Sequence, residues 1–386
     1  MKKEDITGIL VYVLIVALAI VFGLTVLQEH SSASRLGNWY ILFIFGAIVA
    51  GVLFNAIMFE VAHVIGAKIG GYKIVSVNIL GFMLTFVPGK KKVSFKTYDG
   101  LTGETKITPK NNLKKEANPK PYLLFGSLFF FVEFIVLFFV FNMFRNMENV
   151  AFVNAGYFLL VVGTIGGLIL LYNILPLKLD TITDGYKLTK TAGQANRKAF
   201  NELLKIEYAN LVGETYIPSD DIVVVQKENE TNFSADIKLN KVYVALEEKN
   251  YEEAEQLVDE ILADNAKVSN KTYIRARAQK IYIHLLTRTL EESKEFYEKE
   301  VPVVERREIS NDVSMPCIRA YILMAGLLDK SRSETVLGAE RVIKAYKRTD
   351  KSQRKIETTL YNEALKKVIE AHPNWELEPY LLVEVE

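Results

Sequence analysis

Cysteine is all but absent from this chain: Cys317 is the only one in 386 residues. An intrachain disulfide is thereby excluded, as is any cysteine-based metal cluster, and the usage suits a reducing compartment. Net charge is missing too. Lysine and arginine number 47 against 46 acidic residues, a formal +1, and so even a balance gives no footprint for nucleic acid. Histidine is scarce, with four in all. His30, His284 and His372 stand in unrelated contexts and read as surface or packing residues, which leaves His63 for chemistry.

What the chain does have is apolar length. Half of its residues are hydrophobic and 24% are charged, and the two kinds are segregated. Four runs, at 6–27, 39–65, 122–144 and 150–175, reach the roughly 20 residues that a membrane-crossing helix needs. Lys2 and Lys3 precede the first, but its apolar core is too long for a signal peptide and no small-residue cleavage site follows, so it reads as a retained span. Lysine crowds the stretch between the second and third runs, from Lys68 to Lys120. The stretch between the first two has only Arg35, and the turn between the last two only Arg145. This asymmetry predicts that both termini face the cytoplasm.

The stretch "YKIVSVNILGFMLTFVPGKKKVSFKTYDG" after the second run is rich in Val, Ile, Phe and Thr and broken by Gly81 and Pro88-Gly89. It reads as two or three strands, a β-hairpin at or dipping into the membrane. Residues 106–120 read as a flexible basic connector. The third run carries Glu133 amid aromatics, with no role assigned, and Gly126-Ser127 near its start permits close helix contact. The fourth ends in "YNILPLKLDTITDGYKL", where Pro176 breaks the helix ahead of a polar turn with Asp180 and Asp184. Beyond residue 190 the chain reads as water-soluble: a linker over 191–234, then helices over 235–386. "LNKVYVALEEKNYEEAEQLVDEILADNA" predicts a helix pair about Lys249-Asn250, and helices are expected near 271–287, 290–300, 315–329, 334–348 and 352–371. "NYEEAEQLV" resembles a tetratricopeptide repeat, with a plain helical bundle as the alternative. The expected fold is an α-helical polytopic membrane protein over 1–190, with about four transmembrane helices and a β-hairpin, joined to an α-helical, TPR-like cytoplasmic domain.

The chemistry concentrates in "NAIMFEVAHVIGAKIGGYKI", residues 55–74. Glu60 and His63 are three apart on a helix, so they share a face, and ionisable groups at membrane depth are by default functional. The pattern is one residue short of H-E-x-x-H, a helical zinc signature, because Phe59 stands where the first histidine belongs. Zinc hydrolysis takes about three protein ligands and a carboxylate base near the bound water. His63 reads as one ligand, Glu60 as the base, and Asp184, at matching depth after the fourth run, as the third. The bland reading is a snorkelling Glu/His pair and an ordinary Asp-Gly turn.

Residues 55–188 resemble the site-2 protease family of intramembrane zinc metalloproteases, particularly its Gram-positive bacterial branch. "FEVAHVIGAKIGGYKIVSVNILGF" is similar to that family's first core helix and the start of its membrane hairpin. "NILPLKLDTITDGYKL" is similar to its third core helix, with Asn173, Pro176 and Asp184-Gly185. The resemblance implies that Glu60 activates a zinc-bound water, that His63 and Asp184 hold the metal, and that Asn173 positions substrate. It implies too that the hairpin after Tyr72 offers an edge strand to unwound substrate. The spacing from Asn173 to the Asp-Gly pair exceeds the family's common pattern, which keeps Asp180 as a second candidate ligand. Phe59 has no lone pair to give, so only two protein ligands remain and metal affinity falls steeply.

The expected function is therefore an intramembrane zinc metalloprotease of a bacterial plasma membrane, cleaving membrane-spanning or membrane-associated peptides near the cytoplasmic face. It is inactive as written and would hold one zinc with histidine at 59. The alternative is a non-catalytic adaptor that binds clients through hairpin and tail; a structural subunit of a transporter complex is a third reading.

Overall fold

The computed structural model describes residues 3–33, 36–87, 89, 92–95, 103–110, 116–177, 182–214, 216, 232–263, 268–349 and 351–383. It divides into two units, 1–197 and 198–386.

In the first unit, α1 (Lys3–Ala33), α2 (Tyr40–Ile69), α3 (Pro119–Phe144) and α4 (Val150–Ile174) carry the four apolar runs, and all four are long and apolar enough to cross a membrane. Local chemistry sets their starts. The Asn118 side chain accepts from Lys120 N and Pro119 opens α3, while Asn149 accepts from Ala151 N at the start of α4. Two glycines let α2 and α3 meet backbone to backbone: a Cβ at Gly66 would fall 2.4 Å from Pro121 O, and one at Gly70 2.4 Å from Asn118 O.

Between α2 and α3 lies a sheet of β1 (Tyr72–Ile79), β2 (Phe82–Thr85), β3 (Val93–Phe95) and β4 (Gly103–Pro109). The order is β3-β2-β1-β4, and every pairing is antiparallel. Leu80 and Gly81, at φ 51° and 93°, make the two-residue turn between β1 and β2. The reading of 106–120 as a connector is corrected in part. β4 runs to Pro109 and pairs with β1 from Tyr72↔Pro109 to Ile79↔Gly103. Phe82, Leu84, Phe86, Val93 and Phe95 stay exposed on the hairpin, and β1 and β4 pack against α2.

α4 stops at Ile174 because Leu175, just before Pro176, is extended. After this break, α5 (Asp184–Lys190) starts on Thr183, whose hydroxyl accepts from Tyr186 N and donates to Leu175 O at 2.6 Å. The hydroxyl therefore ties the start of α5 to the end of α4.

The second unit begins within α6 (Gln194–Val212), a helix inside the segment read as linker. The hairpin of α7 (Asn232–Glu247) and α8 (Tyr251–Ala263) turns at Lys249, φ 57°, and Asn250. Then come α9 (Asn270–Thr287), α10 (Leu290–Glu300), α11 (Val303–Asn311), α12 (Met315–Leu323), α13 (Arg332–Arg348) and α14 (Lys351–Ala371). The expected helices all occur, and α11 is additional. One apolar core runs through the unit, with Tyr282, Ile283, Leu323 and Leu365 fully buried. Arg319 lies within it and pairs with Glu357 and with Gln279.

Candidate active site

α2 presents Asn55, Phe59 and His63 at four-residue intervals, with Glu60 beside them, and all four are buried. His63 Nε2 lies 2.9 Å from Asp184 Oδ2, so the structure joins the second apolar run to the break after the fourth. Its Nδ1 faces Glu60 Oε2 at 3.8 Å. The imidazole thus stands between two carboxylates. Glu60 Oε2 accepts a 2.5 Å hydrogen bond from Thr105 Oγ1 on β4, and the Thr105 carbonyl accepts from Tyr122 Oη at 2.9 Å. A Cβ at Gly103 would fall 2.9 Å from Glu60 Cγ, so a glycine there lets β4 lie directly on the carboxylate. Lys187 Nζ is 3.6 Å from Asp184 Oδ1. Burial alone would raise the Asp184 carboxyl, but His63 and Lys187 beside it hold it below the ordinary carboxylate range.

Gly185 has a steric role. A Cβ there would come within 2.1 Å of the Ile174 carbonyl oxygen. The Asp-Gly pair is thus a place where α5 lies against the last turn of α4, and the glycine sets how deeply Asp184 is seated.

Phe59 does not leave its corner open. Its ring meets His63 edge-on at 4.2 Å and stacks on Phe130 at 5.6 Å and 13°. Gly126 makes room for it, since a Cβ there would lie 2.7 Å from Phe59 Cε2. The residues present do not fit a catalytic zinc ion: one of three ligand positions is an aromatic hydrocarbon, and the other two are bonded to each other. Among the described residues, no group of three His, Cys, Asp or Glu is placed to hold a metal.

Asn173 lies half-buried in the last turn of α4, and no described bond links it to Glu60, His63 or Asp184. Asp180 lies outside the described residues. Thr105 and Tyr122 escaped the sequence reading, and nothing local to either marks it, because each reaches the site only through long-range pairing. The other histidines do pack. His30 lies between Phe43 and Tyr157, His284 on Phe296 and His372 on Trp375. No family model, curated protein or solved structure matches the chain.

Proposed function

We propose that the first unit is an intramembrane metalloprotease scaffold of the site-2 protease type, disabled at Phe59, in a bacterial plasma membrane with both termini cytoplasmic. The observation that carries this reading is the convergence of Glu60, His63 and Asp184, from two distant apolar segments, into one buried cluster beside the outer strand β4. A merely snorkelling pair would not be enclosed by a strand, two helices and the start of a third. A peptide laid along β4 would pass Thr105 and so the Glu60 carboxylate. As the chain stands, it binds a membrane-associated peptide without cutting it, the role of a pseudoprotease adaptor, and the helical second unit, TPR-like in its α7–α8 hairpin, takes a protein partner.

The test is the zinc content of the purified chain beside a Phe59→His variant, with peptide cleavage assayed in parallel. The expected result is no bound zinc in the chain as written and about one per chain with histidine. Cleavage should appear in Phe59→His and vanish when Glu60→Gln is added, with the metal retained. A folded Phe59→His protein that holds no zinc would overturn the protease scaffold and leave the adaptor.

A further inference from the structure

One turn from Phe59 on the same face of α2, a second buried polar group has no account in the site above. Asn55 is fully buried, and its Nδ2 donates to Gly51 O at 2.8 Å and Val162 O at 3.0 Å. These two bonds fix the amide so that Oδ1 points away from them, and Oδ1 has no hydrogen-bond partner among the described residues. Across from it, α3 contributes Glu133, 9% exposed, and neither of its carboxylate oxygens has a hydrogen-bond partner among the described residues. The two residues share one small space. A Cβ placed on Gly166 of α4 would lie 2.9 Å from Asn55 Oδ1, 3.2 Å from Glu133 Oε2 and 3.1 Å from the Phe130 ring. With no Cβ at Gly166 the two acceptors can both face this narrow spot, and among the described residues no donor reaches either of them.

Among the described residues, the helices around the gap supply no countercharge. α4 has no charged side chain and its titratable residues are Tyr157 and Tyr172. On α3 the other titratable groups are Lys120 and Tyr122 at its start. On α2 the nearest are Glu60 and His63, beyond the Phe59–Phe130 stack and engaged with Thr105 and Asp184. A carboxylate facing an amide oxygen without a donor is among the costliest arrangements in a buried bundle. A cation in the gap reverses that: it is drawn by the carboxylate and coordinated by the amide oxygen that the two Nδ2 bonds have aimed at it.

We propose that Asn55 and Glu133, over the space left by Gly166, form a binding site for a small monovalent cation, a proton or a sodium ion. It stands apart from the Glu60–His63–Asp184 cluster and does not depend on the residue at 59.

The full-length chain in detergent tests this with dicyclohexylcarbodiimide, an apolar reagent whose C=N bond adds the O–H of a protonated carboxyl. Peptide mass spectrometry reads the adduct at Glu133, and melting temperature is followed beside Glu133→Gln, whose amide N–H₂ can itself donate to Asn55 Oδ1. Both are run from about pH 6 to about pH 9, in sodium chloride or N-methylglucamine chloride at equal ionic strength. A bound proton gives an adduct that falls at least several-fold as pH rises, with a wild-type melting temperature that drops relative to Glu133→Gln over the same range. A bound sodium ion protects Glu133 from the reagent and raises the melting temperature of the wild type but not of Glu133→Gln. A gap holding only water gives neither. No adduct at Glu133, together with parallel melting temperatures of the two proteins in both salts at every pH, overturns the proposal.

Discussion

Gly185 shows how much a single hydrogen can settle. Its missing side chain lets α5 lie on the last carbonyls of α4, and that contact seats Asp184 against His63. Gly185→Ala should cost about 1–3 kcal/mol through overpacking and separate the Asp184–His63 pair. Gly193→Ala, where a Cβ would meet nothing within 4 Å, should be near neutral. Thermal unfolding of the two variants side by side checks this; equal melting temperatures would remove the steric account of the Asp-Gly pair. The residues at the site divide by how far their signals lie from them in sequence. Glu60, His63, Asp184 and Gly185 could be read directly, because short spacings on one helix and an Asp-Gly after a proline are local patterns. Thr105, Gly103 and Tyr122 could not. Thr105 is one threonine among ordinary strand residues until the pairing of β4 with β1 sets it over Glu60.

At the scale of elements, the same divide separates helix from sheet. The four apolar helices declare themselves by length, and the soluble helices by periodicity. "GETKITP" gave no such signal: it is short and polar, and its partner β1 begins some thirty residues earlier, so pairing and not composition makes it a strand. α6 is hard to read for a related reason, since its polar, charged first turns look like connector. The β1–β2 turn carries a local conflict that the hairpin's pairing overrides. Leu80 holds φ 51°, a left-handed conformation that costs an ordinary L-residue roughly 1–2 kcal/mol. Leu80→Asn should therefore stabilise the hairpin by about 0.5–1 kcal/mol, and Leu80→Val should destabilise it. Melting temperatures that fall for both would show that the leucine side chain contributes more by packing than its backbone loses.

Across the whole molecule, the second unit carries its own pH dependence. Burial pushes the Asp236 carboxyl up to about 7, against the lowering effect of the Thr272 hydroxyl that donates to it. A raised carboxyl holds its proton more tightly in the folded state than in the unfolded one. Its contribution is therefore fully present below about pH 4, is lost as pH rises toward about 7, and changes no further above that. Asp236→Asn should flatten that part of the profile and leave the variant the more stable of the two at pH 8. Trp375, the only tryptophan beyond Trp39, reports the unfolding of this unit by its fluorescence. An unchanged slope between pH 4 and 7 would count against Asp236 as its source.

The Phe59–Phe130 stack also has a meaning for the polar side chains of α2. Positions 51, 55, 59 and 63 of α2 are Gly, Asn, Phe and His, a ladder that is small or polar at every rung but one. The aromatic rung sits between the Asn55–Glu133 gap and the Glu60–His63–Asp184 cluster. Neither ring carries a hydrogen-bond donor or acceptor, so the stack interrupts the polar side chains on this face. The side chain at 59 thus decides more than whether a third ligand is present. It sets whether the polar side chains on this face of α2 form one continuous row, as histidine at 59 would make them, or two groups parted by apolar rings.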